Sequence, residues 1–481
     1  MEKERVESSL KNRLSVYGAS DYYGFHMPGH KRRMGELGDP YKIDITEIYG
    51  FDDLHHPEKE GIITRAQERA ARLYGAEETH FLVNGSTAGI LSAISGCTHL
   101  GSGFLMARNS HRSVYHGAEL RNLKPWYLYP QTVDSLGING GILSSDVENS
   151  LREHEGTEAV FLTSPTYEGI CTDVKAIAEI CHSYRVPLIV DQAHGAHFPF
   201  SEYFPMDALK AGADVVIQSI HKTLPALTQT ALLHIQGKLV DRERIRYYLS
   251  VYQSSSPSYV LMASIDNCME ELERQGGILF EAYIRRLERF RNSCDDLKSL
   301  QLLDGEFPGE AAICDFDKSR LVICTGNTSL TGEMLMKSLR SQYHLEMEMA
   351  SENYVIGISS VADQKEDFMR LSMALHKLDE IRSQKRQQKE FRESREAQWL
   401  GKAETAMAIG TAMERETEWV EANKASGRIA GKYIYLYPPG IPLTVPGERV
   451  SEELCAQIKS IFEAGQRIHG LDKDGRISVI R

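Results

Sequence analysis

Short apolar runs alternate with longer amphipathic segments between about residue 61 and residue 222. Apolar positions recur with helical spacing from Ile62 to Tyr74, and Gly75 follows as a helix terminator. Five short runs have the length and apolar content of buried strands: Thr79–Val83, Phe104–Ala107, Ala159–Leu162, Val186–Val190 and Val215–Ile217. Strands that alternate with helices predict a mostly parallel sheet with helices on both faces.

A second group of elements is predicted further along the chain. A long helical region runs from about Leu261 to Leu297, and the runs Leu321–Cys324 and Tyr354–Ile358 are predicted as strands. Helices are predicted beside these strands at Gly332–Ser341 and Lys365–Ile381. This pattern indicates a smaller α/β domain that follows a large one.

The pattern divides the chain into four predicted segments. Residues 1–60 are rich in turns and show little core-forming pattern, residues 61–300 form the large domain, and residues 301–395 form the smaller domain. The smaller domain ends in the charged run Arg382–Arg395, which is typical of a solvated helix or linker. Residues 396–481 form a C-terminal domain, whose prolines indicate a rigid, extended path over a surface.

Composition and charge narrow the class of protein. The 481 residues are 42% hydrophobic and 25% charged, and the net charge of −12 argues against nucleic-acid or membrane-surface binding. No apolar run is as long as a membrane span, and the charged stretch Met1–Arg5 lacks the apolar core of a signal peptide. The eight cysteines are scattered without a CxxC pair, so we expect reduced cysteines in a cytoplasmic protein.

A carboxylate and a lysine follow two of the predicted strands. Asp191 comes directly after Val186–Val190, and Lys222 follows Val215–Ile217 with Ser219 and His221 beside it. Ligands of open α/β sheets bind outside the carboxyl ends of the strands, so these side chains are expected to meet at one edge. Pyridoxal 5′-phosphate (PLP) requires a lysine that bonds to its aldehyde and a carboxylate that pairs with its ring nitrogen. The pair therefore predicts a PLP site, with Lys222 as the Schiff-base lysine.

Other polar positions also follow predicted strands. The turn Asn84–Gly89 opens a helix, where backbone N–H groups and hydroxyls suit a phosphate, although an ordinary capped turn has the same pattern. Ser219 and the segment Ser254–Tyr259 offer further hydroxyls, and the second of these equally fits a plain loop. His111 is a candidate for stacking on a flat ring or, alternatively, for capping a helix.

A metal site is the alternative for the edge that contains Asp191. His194 and His197 lie close to Asp191 in the sequence, but an HxxH spacing with one carboxylate is weak evidence for zinc. Such a site also leaves Lys222 without a role. We therefore expect PLP and no metal.

A series of short motifs runs along nearly the whole chain: Pro28-Gly29-His30-Lys31, Asp52-Asp53-Leu54-His55, Asn84-Gly85-Ser86-Thr87, Pro165-Thr166-Tyr167-Glu168-Gly169, Asp191-Gln192-Ala193-His194-Gly195, Ser219-Ile220-His221-Lys222, Ser256-Pro257-Ser258-Tyr259, Tyr437-Pro438-Pro439-Gly440-Ile441-Pro442 and Pro446-Gly447-Glu448. In number and order they resemble the motifs of the Orn/Lys/Arg decarboxylase family, the bacterial fold-type I PLP-dependent decarboxylases of basic amino acids. The length is similar to that of compact members, which lack an N-terminal wing domain and include arginine decarboxylases of polyamine synthesis.

The resemblance implies a fold and a set of site residues. The fold is α/β, of the fold-type I PLP-dependent transferase kind, with a mostly parallel sheet in the large PLP-binding domain, a smaller α/β domain and a C-terminal decarboxylase domain. Lys222 bears the cofactor, Asp191 pairs with the pyridine nitrogen, His111 stacks on the ring, and Lys222 or His221 returns a proton to the α-carbon. The other implied cofactor residues are Ser86, Thr87, Ala193, His194, Ser219 and His221, with Ser255 and Ser256 reaching the phosphate from a neighbouring subunit.

The resemblance also implies a basic amino acid substrate and at least a homodimer. Arginine, which yields agmatine, is the first choice because of the compact architecture, followed by lysine (cadaverine) and ornithine (putrescine). A desolvated cationic tail needs a carboxylate partner. The candidates are Asp52, Asp53 and Glu448, and the last of these resembles the family's C-terminal acidic residue near the substrate.

Two features of the sequence leave alternatives open. Gln192 stands where many family members have Glu, which removes a negative charge expected close to the cofactor and leaves the substrate and pH preference open. An aminotransferase of the same fold shares Asp191 and Lys222 but needs an arginine for the substrate carboxylate, for which Arg428 is the candidate. Besides a decarboxylase and an aminotransferase, the third interpretation is a catalytically inactive homologue that regulates a partner.

Overall fold

The fold is that of a computed structural model, which describes residues 9–133, 136–305, 311–326, 328, 330–383, 404–436, 440–463 and 468–481. Its α-helices are α1 (Leu10–Gly18), α2 (Ile62–Tyr74), α3 (Gly85–Cys97), α4 (Arg112–Leu120), α5 (Ser144–Glu153), α6 (Val174–Ser183), α7 (Ile220–Thr223), α8 (Arg242–Tyr252), α9 (Tyr259–Asn292), α10 (Gly332–Tyr343), α11 (Lys365–Ser383), α12 (Ile409–Met413), α13 (Ala422–Ala425) and α14 (Glu452–Glu463). Its strands are β1 (Tyr23–Phe25), β2 (Glu78–Leu82), β3 (Gly103–Ala107), β4 (Lys124–Leu128), β5 (Thr132–Val133), β6 (Ile138–Asn139), β7 (Thr157–Thr163), β8 (Ile170–Cys171), β9 (Leu188–Asp191), β10 (Val215–Gln218), β11 (Ala231–Ile235), β12 (Gln301–Leu302), β13 (Asp315–Phe316), β14 (Arg320–Cys324), β15 (Leu345–Met347), β16 (Met349–Ala350), β17 (Tyr354–Ile358), β18 (Thr417–Val420), β19 (Ile434–Leu436), β20 (Pro442–Thr444), β21 (Ile468–His469) and β22 (Ile477–Ile480).

A seven-stranded sheet lies at the centre of the large domain, in the order β2-β11-β10-β9-β7-β3-β4. β11 is antiparallel to both of its neighbours, and the other adjacent strands are parallel. Strands β3, β9, β10 and β11 are buried along their whole length, as expected of a sheet covered on both faces. The mostly parallel sheet predicted from the sequence is confirmed.

Local sequence explains how two helices pack on this sheet. In α2 the buried side chains recur with helical spacing, and Gly75 ends the helix in the left-handed conformation, with φ of 70°. In α3 the close approach depends on Gly89, because a Cβ there would lie 2.5 Å from Leu82 Cδ1. This contact places the N-terminus of α3 beside the ends of the central strands.

The smaller domain contains an antiparallel sheet in the order β12-β14-β17-β16. Its helices α10 and α11 occupy the predicted positions, and α9 is the long helix predicted before this domain. The predicted boundaries at residues 60, 300 and 395 stay a prediction, and the charged run from residue 384 lies outside the described residues.

The N-terminal segment contributes to the core, and the expectation of little core-forming pattern there is wrong. Strand β1 pairs in parallel with β15 of the smaller domain, Tyr23 opposite Leu345, and the Phe25 side chain is fully buried. The buried Lys31 ammonium donates to three backbone carbonyls, two in the same segment and one at Ile358. The partner strand lies far along the chain, so the local pattern does not reveal the pairing.

The C-terminal segment has a hydrophobic cluster of its own. Ala425, Ile434, Ile458 and Val479 belong to this cluster, and the segment contains the strand pair β18-β22 and the sheet β20-β19-β21. A path over a surface is therefore an incomplete account of this segment, and Pro438 and Pro439 lie outside the described residues. In the part of the chain that the structure describes, no helix combines the length and apolar content of a membrane span.

Candidate active site

A pocket of about 520 Å³ opens at the carboxyl ends of β7, β9 and β10. Most of the residues predicted for the cofactor line it: Ser86, Thr87, His111, Asp191, Ala193, His194, Ser219, His221 and Lys222. The pairing of β9 with β10 explains this, because Asp191 lies opposite Ile217 and the two chains leave the sheet at the same edge.

Lys222 lies in the one-turn helix α7, directly after β10. Its Nζ is 2.9 Å from Nε2 of His194. Desolvation lowers the pKa of Lys222 to about 8, although the nearby Asp191 carboxylate opposes this change. A lysine with this pKa is partly unprotonated near neutral pH, which is the nucleophilic form of the amine.

Asp191 is the last residue of β9 and is buried. Its Oδ1 accepts a hydrogen bond of 3.0 Å from the backbone N–H of Ala193, and Oδ2 has no hydrogen-bond partner within the described residues. Desolvation raises the pKa of Asp191, and Lys222 acts in the opposite direction. A cationic N–H donor on a ligand would therefore stabilise the Asp191 carboxylate.

Hydroxyls and a helix N-terminus form one end of the pocket. Gly85 begins α3 with φ of 72°, and the Oγ atoms of Ser86 and Ser219 are 2.6 Å apart. His221 donates from Nδ1 to the Thr230 carbonyl at 2.7 Å, and desolvation lowers its pKa to about 4. His221 is therefore a neutral acceptor at Nε2, which makes it a weak candidate for a proton donor.

His111 lines the pocket and also caps a helix, so both sequence interpretations apply. It is the N-cap of α4, and its Nδ1 accepts from the Ser113 backbone N–H. Desolvation, with the Lys222 charge as the next cause, lowers the pKa of His111 to about 3. A neutral imidazole that is held in place by capping the helix presents a flat, fixed face to the pocket.

Two carboxylates in the pocket were not among the predicted substrate residues. Glu168 is buried and accepts from Tyr354, and desolvation raises its pKa. Glu348 accepts from the Tyr167 hydroxyl and, at 2.9 Å, from the Met27 backbone N–H. The sequence signal for Glu348 is an acidic residue alternating with apolar ones at 345–349, a pattern also typical of an ordinary strand.

Several predicted residues are not brought to this pocket by a single chain. Ser255 and Ser256 are exposed on the loop before α9. Glu448 is buried with Arg108, 3.3 Å from its Nη2, and accepts from Thr444 and the Val445 backbone. This pairing places Glu448 outside the pocket lining, because its charge is directed to Arg108.

The acidic candidates of the N-terminal segment also lie elsewhere. Asp52 accepts from the Ile63 backbone N–H at the start of α2, and Asp53 accepts from His55 and His56. Neither carboxylate lines the pocket. The expectation that they face the substrate is not supported within one chain.

Gln192 faces away from the pocket. Its amide contacts the Gln218 amide, the Asp207 carboxylate and the Ala208 backbone N–H. The amide is therefore directed to these three groups, and the effect of Gln192 on the substrate and pH preference stays a prediction.

Arg428 was the candidate for a substrate-carboxylate clamp and His197 for a zinc ligand, and both side chains have other partners. Arg428 pairs with Glu418 at 2.7 Å and donates to the Ile480 carbonyl, so it does not reach the pocket as a carboxylate clamp. His197 contacts Asp317 and Ser319 instead of joining His194. Among the described residues, no group of three or more His, Cys, Asp or Glu side chains is arranged to hold a metal ion.

The residues present fit PLP. Three buried atoms of pocket-lining side chains, Asn109 Oδ1, Asn139 Oδ1 and Thr163 Oγ1, have no hydrogen-bond partner in the described part of the chain. Unpaired buried polar atoms are costly and indicate a polar ligand. The pocket also brings together an amine for an aldehyde, a carboxylate for a ring nitrogen, and a helix N-terminus with hydroxyls for a phosphate.

Comparison with known proteins also indicates a PLP-dependent enzyme and identifies its family. A family model described as "Orn/Lys/Arg decarboxylase, major domain" matches residues 9–311, and one described as "Orn/Lys/Arg decarboxylase, C-terminal domain" matches residues 384–475. An arginine decarboxylase of Bacillus subtilis (strain 168) is 31% identical over 99% of this chain and 97% of its own length. A constitutive lysine decarboxylase of Escherichia coli (strain K12) is 28% identical over 61% of this chain and 45% of its own length.

The fold is shared with solved decarboxylase structures. The crystal structure of the Francisella novicida lysine decarboxylase LdcF matches with a TM-score of 0.78 and 19% identity, over 98% of this chain and 81% of that one. The fold, the pocket and the two family models agree. The chain belongs to the Orn/Lys/Arg decarboxylase family and is a PLP-dependent decarboxylase.

Proposed function

We propose that this protein decarboxylates arginine to agmatine and CO2. The observation that carries the proposal is the Glu348 carboxylate, which lines the same pocket as Lys222 and Asp191. The similarity to an arginine decarboxylase, at 31% identity over nearly the whole of both chains, supports arginine over lysine, because the lysine decarboxylases match at 24–28% identity.

The central roles fall to Lys222 and Asp191. PLP, when bound, supplies an electron sink for the electron pair that CO2 leaves on the α-carbon. Asp191 holds a proton on the ring nitrogen, because its buried carboxylate gains a cationic partner there. Lys222 would hold the cofactor through its aldehyde and would be the group that returns a proton to the α-carbon, a role for which His221 is less suited because its Nδ1 donates to the Thr230 carbonyl.

The remaining residues bind and orient the cofactor. Ser86, Thr87, Ser219 and the N-terminus of α3 hold the phosphate. His111 covers one face of the ring and excludes water from it, while Ala193 and His194 lie beside Asp191 in the pocket wall.

Glu348 binds the guanidinium of the substrate. Both of its oxygens are fixed by hydrogen bonds from Tyr167 and Met27, so the carboxylate is held in place before substrate arrives. A fixed carboxylate suits a guanidinium, which donates two parallel hydrogen bonds to it. Glu168 is the weaker candidate, because desolvation raises its pKa and disfavours its anion.

The test of this function is CO2 release from purified, PLP-loaded protein with arginine, lysine and ornithine supplied separately. Release from arginine well above the other two supports the proposal. Preference for lysine or ornithine would contradict the proposed substrate, and keto-acid formation without CO2 would contradict the reaction.

Replacing Glu348 with glutamine is expected to raise the KM for arginine about ten- to a hundredfold, because a charge-assisted hydrogen bond contributes about 1.5 to 3 kcal/mol. The kcat should change less, since Glu348 binds the tail and not the reacting carbon. Steady-state kinetics with arginine measures both values.

The matched control is Glu346→Gln, two positions away. Glu346 contacts Tyr17 and Arg340 and does not line the pocket, so its substitution should leave the KM unchanged. Equal effects of the two substitutions would show that Glu348 does not bind the substrate.

We also propose a homodimer in which Ser255 and Ser256 reach the phosphate of the neighbouring pocket. Their exposure on the loop before α9 supports this, since they are available to a second copy.

The eight unpaired cysteines support a cytoplasmic enzyme. The resemblance of this chain to compact family members supports a role in polyamine synthesis.

Mixing two inactive variants tests the shared pocket. Lys222→Ala and the double variant Ser255→Asp, Ser256→Asp should each be inactive, the second because a carboxylate repels the phosphate. Random exchange of subunits should restore about one quarter of wild-type activity, because a mixed dimer contains one intact site. Lys222→Ala mixed with Asp191→Asn should restore nothing, as both residues lie in one chain's pocket, and recovery in neither mixture would refute the shared site.

A further inference from the structure

Arg320 connects the smaller domain to the lysine in the pocket. It is the first residue of β14, and its side chain is fully buried. Its Nη2 donates to Nδ1 of His194 at 3.0 Å and to the His194 carbonyl at 2.8 Å. Because His194 Nε2 lies 2.9 Å from Lys222 Nζ, three side chains form a continuous chain of contacts.

Stability does not explain this arrangement. Nε and Nη1 of Arg320 have no hydrogen-bond partner within the described residues, and the Asp317 carboxylate lies 3.8 Å from Nε. Burying a guanidinium with unpaired donors opposes folding. The chain nevertheless makes room for it at Gly169, where φ is 102° and a Cβ would lie 2.7 Å from Arg320 Cγ.

The hydrogen-bonding capacities of the three groups define where the protons lie. A guanidinium only donates, so Nδ1 of His194 must be an acceptor. A neutral imidazole with an unprotonated Nδ1 has its proton on Nε2, and Nε2 then donates to Lys222 Nζ. An amine nitrogen accepts a hydrogen bond only when its lone pair is free, so this geometry requires unprotonated Lys222.

We propose that Arg320 is a positioning residue that fixes His194 in the Nε2–H tautomer and thereby holds Lys222 as an unprotonated amine. An unprotonated amine is the form that condenses with an aldehyde, with loss of water. The inference rests on the proposed role of Lys222 as the cofactor lysine, and it is independent of which amino acid is decarboxylated.

The charged groups around the two side chains act in both directions. Asp191 and Glu348 favour the ammonium form of Lys222, whereas desolvation and the Arg320 charge disfavour it. His194 faces Lys222, Arg320, His111 and His221, and desolvation together with these groups holds its pKa well below the ordinary value. A neutral His194 is thus consistent with the proposed tautomer.

Nitrogen-15 NMR of histidine-labelled, cofactor-free protein tests the tautomer directly. The His194 signals are assigned by their loss in His194→Phe. In the wild type, Nδ1 should have the shift of an unprotonated nitrogen and Nε2 that of a protonated one near neutral pH. Arg320→Met should mix the two tautomers, and Arg320→Lys, which retains a cationic donor, should preserve the wild-type pattern. A wild-type spectrum with the proton on Nδ1 would overturn the proposal, whether or not the variants fold.

The pH dependence of PLP uptake by cofactor-free protein tests the consequence for Lys222. Uptake is followed by the absorbance change that covalent attachment of PLP produces. Arg320→Met should move the midpoint of the uptake rate about one pH unit higher, which slows uptake about tenfold below it. The control Arg286→Met removes a guanidinium that donates to the Val361 carbonyl away from the pocket, and it should change neither readout.

The two measurements separate this inference from the proposed function. An unchanged uptake midpoint and an unchanged tautomer in folded Arg320→Met would refute the role of Arg320. Lack of CO2 release from arginine, with His194 in the expected tautomer and a shifted midpoint in Arg320→Met, would remove only the proposed substrate and support the role of Arg320.

Discussion

Alanine in place of Lys222 is expected to abolish CO2 release from arginine, with a loss of at least about a thousandfold in kcat/KM. Lys222 is the one lysine that lines the pocket in the part of the chain described. Its removal eliminates both the covalent attachment of PLP and the group that returns a proton to the α-carbon. Turnover and the absorbance of bound PLP measure the two effects separately.

The control for this substitution is Lys238→Ala, at an exposed lysine outside the pocket. It should retain full activity and the wild-type absorbance. If Lys222→Ala turned over arginine at the wild-type rate, the assignment of Lys222 would be wrong. Loss of turnover with wild-type absorbance would instead show that another lysine bears the cofactor.

Local pattern was sufficient to predict most of the central sheet. The predicted helix Ile62–Tyr74 agrees with α2 at both ends, because its buried stripe and Gly75 are both local signals. Strand ends were displaced by one or two residues; the run Val186–Val190, for example, is β9 at Leu188–Asp191. Such displacements are expected, since hydrogen bonds to neighbouring strands define the ends of a strand.

The candidate site was predictable where it comes from consecutive strands of one sheet. Asp191 ends β9 and Lys222 follows β10, the neighbouring parallel strand, and the general rule for α/β sheets places both at one edge. Glu348 and Arg320 come from the smaller domain, and their contacts with Tyr167 and His194 join distant parts of the chain. The local signal for Glu348, an acidic residue alternating with apolar ones at 345–349, is equally typical of an ordinary strand, so the fold is needed to identify both residues.

Sequence motifs do not reveal the direction in which a side chain points. Asp191 faces the pocket, whereas Gln192, the next residue, faces Gln218 and Asp207 on the other side of the strand end. Glu448 pairs with Arg108, which lies between β3 and α4 and also donates to the Pro442 carbonyl. In both cases the motif predicts roughly where the residue lies in the fold. The direction of its side chain depends on burial and on a partner that is distant in the sequence.

Asparagine in place of Asp191 is expected to lower kcat about a hundred- to a thousandfold, the range for loss of one preorganised electrostatic contact. The uncharged amide of the variant cannot hold a proton on the ring nitrogen by charge, so the electron sink is weakened while the shape of the pocket is kept. Steady-state kinetics with PLP at saturation measures the loss. The control is Asp207→Asn, a buried carboxylate bound by the Leu209 backbone and Gln218 outside the pocket, which should retain kcat.

Asp191→Asn, which lowers kcat, should not lower the stability of the cofactor-free protein and should raise it or leave it unchanged. Desolvation raises the pKa of Asp191 above its ordinary value of 3.8, so the folded state retains its proton where the unfolded state has lost it. The folded state therefore loses stability as the pH rises from the unfolded pKa through the folded one. Asp191→Asn removes this penalty and should unfold at an equal or higher temperature near neutral pH. A lower melting temperature together with a lower kcat would indicate that Asp191 supports the fold and not the chemistry.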